Sequence, residues 1–417
     1  MNKNYFTENV EFYGNTSPGE LIENYGSPLY VYNEKILRQR CREMANLVTY
    51  PNFKSNFSIK ANSNIELLKI IHSEGLYADA MSPGEIYVLL KAGFKPEEIF
   101  YISNNVSEEE MKFAIERGII TSIDSISQLR QFGKLNPGGK VAIRFNPGIG
   151  AGHHEKVVTG GKKTKFGINP EYIDEVKSIL KEFNLKLAGV NQHIGSLFME
   201  PEPYIESIKY ILDIAEQFED LDFIDFGGGF GIPYRKQEGQ ERLNISYLGE
   251  KLDEIMNRWT DKYGKKVLFK IEPGRYIVAE CGVLLGTVYS LKQNNGICFA
   301  GTDIGFNVLV RPVMYDSHHD IEVYKKTCNT AAEYKPITVV GNVCESGDII
   351  AKDRLLPQLE EGDIIGVMDA GAYGYSMSSN YNNRLRPAEV LIKENGTAVL
   401  IRRRDTLEDL LRNYEIK

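Results

Sequence analysis

Residues 223–231 read Phe-Ile-Asp-Phe-Gly-Gly-Gly-Phe-Gly, a short apolar run followed by a cluster of glycines. Because glycine has no Cβ atom, its backbone can turn tightly and bring N–H groups close to an anion that a larger residue would exclude. Glycine clusters behind strands more often mark only a tight turn. The stretch is therefore a candidate phosphate site, and the surrounding segments decide whether a phosphate belongs there.

Short apolar runs alternate with longer amphipathic runs on both sides of this stretch. They predict eight strands, at residues 54–60, 76–80, 99–103, 119–124, 140–146, 186–194, 222–227 and 266–272. Helical segments lie between the strands, and several of them begin at Pro or Ser. This rhythm is typical of a (β/α)8 TIM-like barrel, with a doubly wound parallel sheet as the alternative.

The pattern changes near residue 283, where short strands follow one another without long helices. We predict a barrel domain over residues 28–282 and a mainly antiparallel β-barrel or sandwich over residues 283–417. Residues 1–27 are expected to pack on the second domain. A final helix is predicted at residues 407–414, and Asn395-Gly396 has the signature of a two-residue hairpin turn.

The composition is that of a globular protein with a small-molecule partner. The 417 residues are 42% hydrophobic and 25% charged, with a net charge of -8 and no basic block, which argues against nucleic acid. No signal peptide or membrane span is recognised, so the expected location is cytoplasmic and no membrane partner is expected. Cysteines stand at 41, 281, 298, 328 and 344 without Cys-x-x-Cys spacing, which predicts neither a disulfide framework nor a metal site. Cys41 and Cys298 are interpreted as small core residues.

A glycine-rich and basic interval interrupts the strand–helix rhythm at residues 147–169. Loops of this length in compact domains are usually functional or disordered. Its basic residues and its position after a predicted barrel strand favour an active-site loop, with a flexible insertion as the alternative.

Polar residues stand where the predicted barrel strands end, and in this fold those ends meet at one mouth. The residues at these ends are Lys60, Asp79, Asn146, His193, Gly227, Gly228, Gly229 and the segment 272–275. Lys60 closes an apolar run, and a desolvated lysine is suited to forming a Schiff base. A lysine combined with a phosphate site after strand seven predicts an aldehyde cofactor that carries a phosphate, namely pyridoxal 5'-phosphate.

The remaining residues suit that cofactor. Glu272 is placed to hold a protonated ring nitrogen, because a pyridinium needs a carboxylate beside it. His193 can stack on the ring, although an isolated histidine of this kind would more often be a satisfied core residue. Ser196 can bond the phosphate, and the planar guanidinium of Arg275 can bind either the phosphate or a substrate carboxylate.

These segments resemble, over nearly the whole chain, the fold-type III pyridoxal phosphate decarboxylases. The resemblance is closest to the members that decarboxylate meso-diaminopimelate to L-lysine in lysine biosynthesis. The segments that carry it are 57–62, 78–85, 150–154, 164–167, 192–196, 227–231, 272–275, 311–315, 344–348, 371–373 and 386–390.

The resemblance implies a role for each matching residue. Lys60 would carry the cofactor, Glu272 would face its ring nitrogen, and Asp79 and His193 would lie beside it. The phosphate would be held by Ser196, Gly229 and the segment Glu272, Pro273, Gly274 and Arg275. Cys344 would donate a proton and Glu345 would hold the distal amino group of the substrate. Arg275, Arg311 and Tyr315 would bind the distal carboxylate, and Tyr373 would touch both cofactor and substrate.

In this family Cys344 and its neighbours would come from the second domain of a head-to-tail partner, which implies a homodimer with shared active sites. Glu345 together with Arg275 and Arg311 favours a substrate with a second amino-acid end over ornithine. Two departures from the family pattern, Ser58 and Tyr276, leave room for a decarboxylase of another carboxylated diamine in siderophore or polyamine synthesis.

Two further alternatives remain. A catalytically silent cofactor-binding regulator has no reason to retain Lys60, Cys344 and the substrate arginines. A dinucleotide oxidoreductase is disfavoured because Pro233 follows the glycines closely and no helix begins directly after them.

Overall fold

The computed structural model describes residues 5–325, apart from 147 and 149–163, and residues 333–415. Most of the predicted active-site loop 147–169 therefore lies outside the described residues, as does Cys328. The chain forms two compact units. The barrel unit comprises Arg38–Ile232 and Arg242–Ile277, and the sheet unit comprises Met1–Leu37, Pro233–Glu241 and Val278–Lys417.

The sheet unit begins with helices α1 (Phe6–Asn9) and α2 (Pro18–Tyr25) and strand β1 (Leu29–Asn33). Helix α2 begins with a capping box. The Ser17 hydroxyl accepts a hydrogen bond from the Glu20 N–H, and the Glu20 carboxylate accepts one from the Ser17 N–H. This exchange satisfies two backbone donors that an uncapped helix would leave unpaired.

The barrel unit contains eight parallel strands that close into a barrel in chain order, as the sequence predicts. The strands are β2 (Phe53–Ser58), β3 (Tyr77–Ala80), β4 (Ile99–Ile102), β5 (Ile120–Ile123), β6 (Lys140–Arg144), β7 (Lys186–Asn191), β8 (Phe223–Asp225) and β9 (Leu268–Ile271). Strands β2 and β9 close the ring, with Phe53 opposite Phe269 and Ser55 opposite Ile271. The prediction of a (β/α)8 TIM-like barrel is confirmed.

Helices connect these strands. They are α3 (Glu34–Ala45), α4 (Ile65–Ser73), α5 (Pro83–Ala92), α6 (Glu108–Ile115), α7 (Ile126–Leu135), α8 (Ile173–Glu182), α9 (Glu202–Ala215), α10 (Ile245–Tyr263) and α11 (Arg275–Val278). Helices α5, α6 and α7 begin after Ser82, Ser107 and Ser125, and each of these hydroxyls accepts a hydrogen bond from the N–H three residues later. The serines thus cap the helix ends that the sequence marks.

The sheet unit contains a nine-stranded, mainly antiparallel sheet, which confirms the predicted class of the second domain. Its later strands are β10 (Gly282–Asn294), β11 (Ile297–Thr302), β12 (Ile321–Tyr324), β13 (Tyr334–Val340), β14 (Ile349–Pro357), β15 (Ile364–Val367), β16 (Ala388–Ile392) and β17 (Ala398–Arg402). The order is β14-β13-β11-β10-β1-β16-β17, and β15 pairs with both β10 and β12. Helix α12 (Arg311–Tyr315) lies between β11 and β12.

Strand β1 belongs to this sheet, where it pairs antiparallel with β10 and parallel with β16. The sequence predicts a barrel domain that begins at residue 28 and would therefore include β1. The observed barrel begins later because every residue of β1 is buried between two sheet neighbours. An apolar run predicts a buried strand but does not identify the sheet that buries it.

Short 3-10 helices complete the described chain, at Ile59–Ala61, Pro96–Glu98, Pro170–Tyr172, Lys236–Glu238, Tyr375–Met377, Tyr381–Asn383 and Glu408–Leu411. The last of these replaces the predicted helix 407–414, because the Asp409 carboxylate caps Thr406 but no further turn follows. The turn at Asn395-Gly396 is also not a two-residue turn. Gly396 alone of the pair has a positive φ, +82°, and the Lys393 N–H reaches the carbonyl oxygen of Thr397. None of the described helices is both long and apolar enough to cross a bilayer.

Candidate active site

Lys60 lies in a single 3-10 turn, Ile59–Ala61, directly after β2 at the mouth of the barrel. Burial raises the pKa values of the Asp79, Glu85 and Glu272 carboxyls, and the charge of Lys60 opposes the rise at all three. Burial lowers the pKa of His193, and the same ammonium lowers it further. The structure therefore brings Lys60, Asp79, His193 and Glu272 together, as the sequence predicts for the strand ends.

Asp79 on β3 is completely buried. Its Oδ2 accepts a hydrogen bond of 3.0 Å from the Ser58 hydroxyl, whereas Oδ1 has no hydrogen-bond partner among the described residues. Burial raises the pKa of Asp79 to about 8, and Lys60 limits the rise. Ser58 thus supplies the buried carboxyl with a donor.

Asp79 makes the stability of the unliganded protein depend on pH. The unfolded chain releases this proton near its ordinary pKa of 3.8, but the folded chain keeps it up to a pKa of about 8. The free energy of unfolding should therefore fall as the pH rises through this interval. Asp79→Asn keeps an acceptor for Ser58 and removes the titrating group, so the fall between pH 5 and pH 8 should become smaller in urea unfolding experiments.

The exposed acid Asp213 on α9 provides the control, because Asp213→Asn should leave the pH dependence of the wild type intact. Glu272 and Asp225 act in the same direction as Asp79 and remain in both variants. An identical pH dependence of unfolding in Asp79→Asn and in wild type would contradict the assignment of a buried, protonated Asp79.

Glu272 directly follows β9 and is 5% exposed. Its Oε1 is buried without a hydrogen-bond partner in the described part of the chain. Burial raises its pKa well above the ordinary value, the carboxyls of Asp225 and Asp79 raise it further, and Lys60 opposes them. A buried carboxyl with a raised pKa, one oxygen of which has no hydrogen-bond partner among the described residues, is suited to share a proton with a ring nitrogen.

Two N–H groups of the glycine cluster donate hydrogen bonds to side chains. The Gly227 N–H donates to Asp225 Oδ1 at 2.9 Å, and the Gly228 N–H donates to His193 Nδ1 at 3.0 Å. The Gly229 N–H has no acceptor among the described residues. Of the three predicted glycines, Gly229 is therefore the one whose N–H remains available for an anion.

A side chain cannot replace hydrogen at these glycines. A Cβ atom on Gly228 would lie 2.0 Å from the Glu272 carbonyl oxygen, and one on Gly229 would lie 2.5 Å from that of Gly195. Gly229 also has φ +111°, which other residues rarely adopt. The cluster is thus packed closely against the segments that carry His193 and Glu272.

His193 is a neutral imidazole with its proton on Nε2, because Nδ1 accepts the hydrogen bond from Gly228. Burial lowers its pKa well below the ordinary value. Its Nδ1 lies 4.0 Å from Glu272 Oε2. A neutral ring fixed at one nitrogen can present a face for stacking without adding positive charge to the site.

The Glu272-Pro273-Gly274-Arg275 segment packs against the end of β2. The Ser58 N–H donates to the Pro273 carbonyl oxygen at 3.2 Å, and a Cβ atom on Gly274 would lie 2.9 Å from the Ser58 Cβ. The guanidinium of Arg275, which is buried, donates from Nη2 to Ser196 Oγ at 2.8 Å. Ser196 and Arg275, both predicted at the phosphate, are therefore adjacent.

Tyr276, the second departure from the family pattern, is directed toward helix α3. Its hydroxyl donates to Glu43 Oε2 at 2.9 Å, and the Arg40 guanidinium lies 5.7 Å from its ring centre. Tyr276 thus makes its polar contacts with helix α3.

Three charged residues of the barrel were missed by the sequence analysis. Asp225 and Lys270 are register neighbours on β8 and β9, and the Lys270 ammonium lies 4.1 Å from the ring centre of Phe223. Arg144 at the end of β6 is buried, and it opposes the rise in the pKa of Glu272. Each of these residues is a charged residue within an apolar strand. This pattern could have indicated a buried polar site, because a buried charge requires a partner.

In the sheet unit, Cys344 and Glu345 are both exposed between β13 and β14. The Cys344 N–H donates to Asn382 Oδ1 at 2.7 Å, and the Tyr381 hydroxyl donates to Glu345 Oε1 at 2.6 Å. Tyr381 and Asn382 were not predicted as site residues. Their contacts cannot be read from the sequence, because they join positions about 40 residues apart.

Arg311 at the start of α12 is only 1% exposed. It donates from Nη1 to His319 Nε2 at 2.7 Å, and His319 Nδ1 donates to the Met368 carbonyl oxygen at 2.7 Å. The Arg311 guanidinium also lies 4.6 Å from the ring centre of Tyr234. Arg311 is thus a buried, positioned cation, whereas the predicted partner Tyr315 at the end of α12 is half-buried.

Tyr373 has φ +56° and is half-buried in the sheet unit. The predicted site residues therefore fall into two groups, one in each unit. Among the described residues, no cluster of His, Cys, Asp and Glu could hold a metal ion. Cys41 is buried as predicted, but Cys298 is half-exposed on β11, so its assignment to the core is wrong.

Comparison with known proteins extends over nearly the whole chain. Residues 34–279 match the family described as "Pyridoxal-dependent decarboxylase, pyridoxal binding domain". The chain is 41% identical to diaminopimelate decarboxylase of Methanothermobacter thermautotrophicus, over 97% of this chain and 95% of that protein. It is 35% identical to diaminopimelate decarboxylase of Escherichia coli K12, over 94% of each.

The fold also matches a solved structure. The crystal structure of diaminopimelate decarboxylase from Helicobacter pylori complexed with L-lysine superposes with a TM-score of 0.87 at 33% sequence identity. The match covers 95% of this chain and 98% of that chain.

Proposed function

The chain belongs to the pyridoxal-dependent decarboxylase family, and we propose that it converts meso-diaminopimelate to L-lysine and CO2 with pyridoxal phosphate as cofactor. The similarity to diaminopimelate decarboxylases over nearly the full chain supports the substrate. The observation that carries the cofactor assignment is Glu272, whose buried Oε1 has no hydrogen-bond partner in the described ranges and whose carboxyl lies in a site shared with Lys60 and His193.

The residues present fit this cofactor. When bound, it supplies an electron sink for the carbanion that loss of CO2 leaves behind. The Lys60 amine would hold its aldehyde carbon, and Glu272 would keep a proton between its carboxyl and the ring nitrogen. The neutral His193 ring would stack on the cofactor, while the Gly229 N–H, Ser196 and Arg275 would hold its phosphate.

Cys344 is proposed to deliver the proton that replaces the lost carboxylate, because a thiol can act as a general acid. Its exposure makes it available to the barrel of a second copy. We therefore propose a homodimer in which each site combines the barrel of one subunit with Cys344 of the other. Tyr373 is proposed to contact both cofactor and substrate from the same unit as Cys344.

The far end of the substrate carries a second ammonium and a second carboxylate. Glu345 is proposed to hold the ammonium, and Arg275, Arg311 and Tyr315 the carboxylate. The fixed position of the Arg311 guanidinium supports this role, since a preorganised cation loses little freedom when it binds an anion. A substrate that lacks the distal carboxylate would form no charge-assisted hydrogen bonds with these arginines.

We propose the cytoplasm as the compartment. The four cysteines within the described residues are free thiols, and Cys344 donates a proton only while it remains reduced.

A substrate panel tests the proposed function. Purified protein supplied with pyridoxal phosphate should release CO2 from meso-diaminopimelate and form L-lysine. Lysine, ornithine and carboxynorspermidine should react at least about a hundredfold more slowly in kcat/KM, because each lacks a charged group that the site is built to pair.

A higher kcat/KM with carboxynorspermidine or ornithine would overturn the proposed substrate in favour of a related diamine decarboxylase. Binding of the cofactor without CO2 release from any of the four would instead support the silent regulator.

A further inference from the structure

We propose that residues 379–384, here called the clamp segment, hold the proton donor and the substrate-binding carboxylate in place. Within it, Tyr381 and Asn382 are positioning residues, Tyr381 for substrate choice through Glu345 and Asn382 for proton delivery through Cys344. This inference rests on the proposed function of Cys344 and Glu345 and adds two residues to it.

Three successive contacts join the clamp segment to the turn that carries Cys344. Arg384 donates from Nη2 to the carbonyl oxygen of Asn342. Asn382 Oδ1 accepts from the Cys344 N–H at 2.7 Å, and the Tyr381 hydroxyl donates to Glu345 Oε1 at 2.6 Å. The two segments therefore run side by side, and each contact fixes a different residue of the turn.

Phe306 supports both segments from one side. The buried Asp348 accepts from the Phe306 N–H at 2.7 Å through Oδ1 and from the Val343 N–H at 2.8 Å through Oδ2. The Phe306 ring stacks on Tyr381, with ring centres 5.5 Å apart and planes inclined by 25°. The Tyr381 ring is thus held in place by Phe306, although its side chain is 43% exposed.

The bond from Tyr381 suits Glu345 to an ammonium ligand. A phenol donor orients the carboxylate through Oε1 and leaves its negative charge intact, because no cation neutralises it through this contact. The second oxygen, Oε2, can then face a distal ammonium. Without the phenol, the exposed Glu345 side chain would have to be ordered when the substrate binds, which costs affinity.

Asn382 acts on the backbone of Cys344. Its amide oxygen holds the Cys344 N–H, and the thiol itself is not touched by this contact. Asn382 and Asn383 have φ +55° and +52°, a left-handed conformation that asparagine and glycine tolerate best. Replacement by glycine therefore keeps this backbone conformation and removes only the amide.

Tyr381→Phe tests the role in substrate choice. The KM for meso-diaminopimelate should rise about tenfold while kcat changes by less than about twofold, because ground-state binding of the ammonium is weakened. Tyr414→Phe is the matched control, since this tyrosine is exposed in the same unit and lies outside the clamp segment. Equal KM values for the two variants would overturn the role of Tyr381.

Asn382→Gly tests the role in proton delivery. Here kcat should fall about tenfold with KM nearly unchanged, and Asn382→Asp, which keeps an acceptor oxygen, should restore most of it. Asn383→Gly is the control, because the neighbouring side chain makes no hydrogen bond within the described residues and has the same backbone conformation. A kcat for Asn382→Gly equal to that for Asn383→Gly would overturn the inference.

Tyr381→Phe should change mainly KM, and Asn382→Gly should change mainly kcat. A general loss of structure would instead reduce the activity of both variants in the same way. The conservative Tyr381→Phe variant keeps the inference falsifiable if Asn382→Gly does not fold, because it removes only the hydroxyl that donates to Glu345. Wild-type protein serves as the reference for the proposed function. If the wild type releases no CO2 from meso-diaminopimelate, the proposed function fails. If the wild type is active and the variants behave like their controls, only the proposed role of the clamp segment is refuted.

Discussion

Lys60→Ala protein mixed with pyridoxal phosphate should not develop the visible absorption band expected of the wild type, and its decarboxylase activity should fall by on the order of a thousandfold or more. The physical reason is that Lys60 supplies the amine at the barrel mouth, where its charge acts on Asp79, Glu272 and His193. Absorption spectroscopy and a CO2-release assay measure the two effects.

Lys54→Ala is the control for this experiment. Lys54 lies on the same strand, β2, with its ammonium 5.1 Å from the ring centre of Tyr77. Its removal should leave both the band and the activity close to those of the wild type. A wild type that stays colourless with added cofactor would refute the assignment of Lys60, and so would a band that survives in Lys60→Ala.

Lys60→Ala and Cys344→Ala proteins, each nearly inactive alone, should recover activity when they are mixed and allowed to exchange subunits. If each active site combines Lys60 of one subunit with Cys344 of the other, one site of every hybrid dimer is intact. Random exchange then yields half hybrids, and the expected activity is about a quarter of the wild-type value. The measurement is CO2 release as a function of the mixing ratio.

Two controls accompany the mixing experiment. Each variant alone, carried through the same exchange step, should stay inactive. A Lys60→Ala/Cys344→Ala double variant mixed in equal amount with wild type should lower the wild-type contribution by about half, because neither site of such a hybrid dimer contains both residues. Failure of the single variants to complement, with subunit exchange demonstrated by mass labels, would show that both residues serve the same site from one chain.

The barrel could be predicted because each of its strands is recognisable from a short stretch of sequence. Apolar runs followed by Lys60, Asp79 and Glu272 indicate both the strands and the residues at their ends, and the closed parallel barrel confirms the architecture. Strand β1 was assigned to the other domain because a short buried strand shows its burial but not its neighbours.

The residues missed by the sequence analysis depend on contacts between distant positions. Asp225 and Lys270 become neighbours only through the register of β8 and β9. Tyr381 and Asn382 act on Glu345 and Cys344 across two loops, and neither contact leaves a periodic pattern in the sequence. Such residues can be recognised only from the folded structure.

The closure of the barrel by β2 and β9 has a consequence for how the chain folds. Ser58 and the Glu272 carbonyl oxygen approach to 3.4 Å although they are 214 positions apart in the chain. The pairing of β2 with β9 requires the two ends of the barrel sequence to meet. Contacts between residues so far apart in the sequence form slowly. A ligand held by both Lys60 and Glu272 can bind only when β2 and β9 are paired. Its binding should therefore stabilise the closed barrel and slow the separation of these two strands.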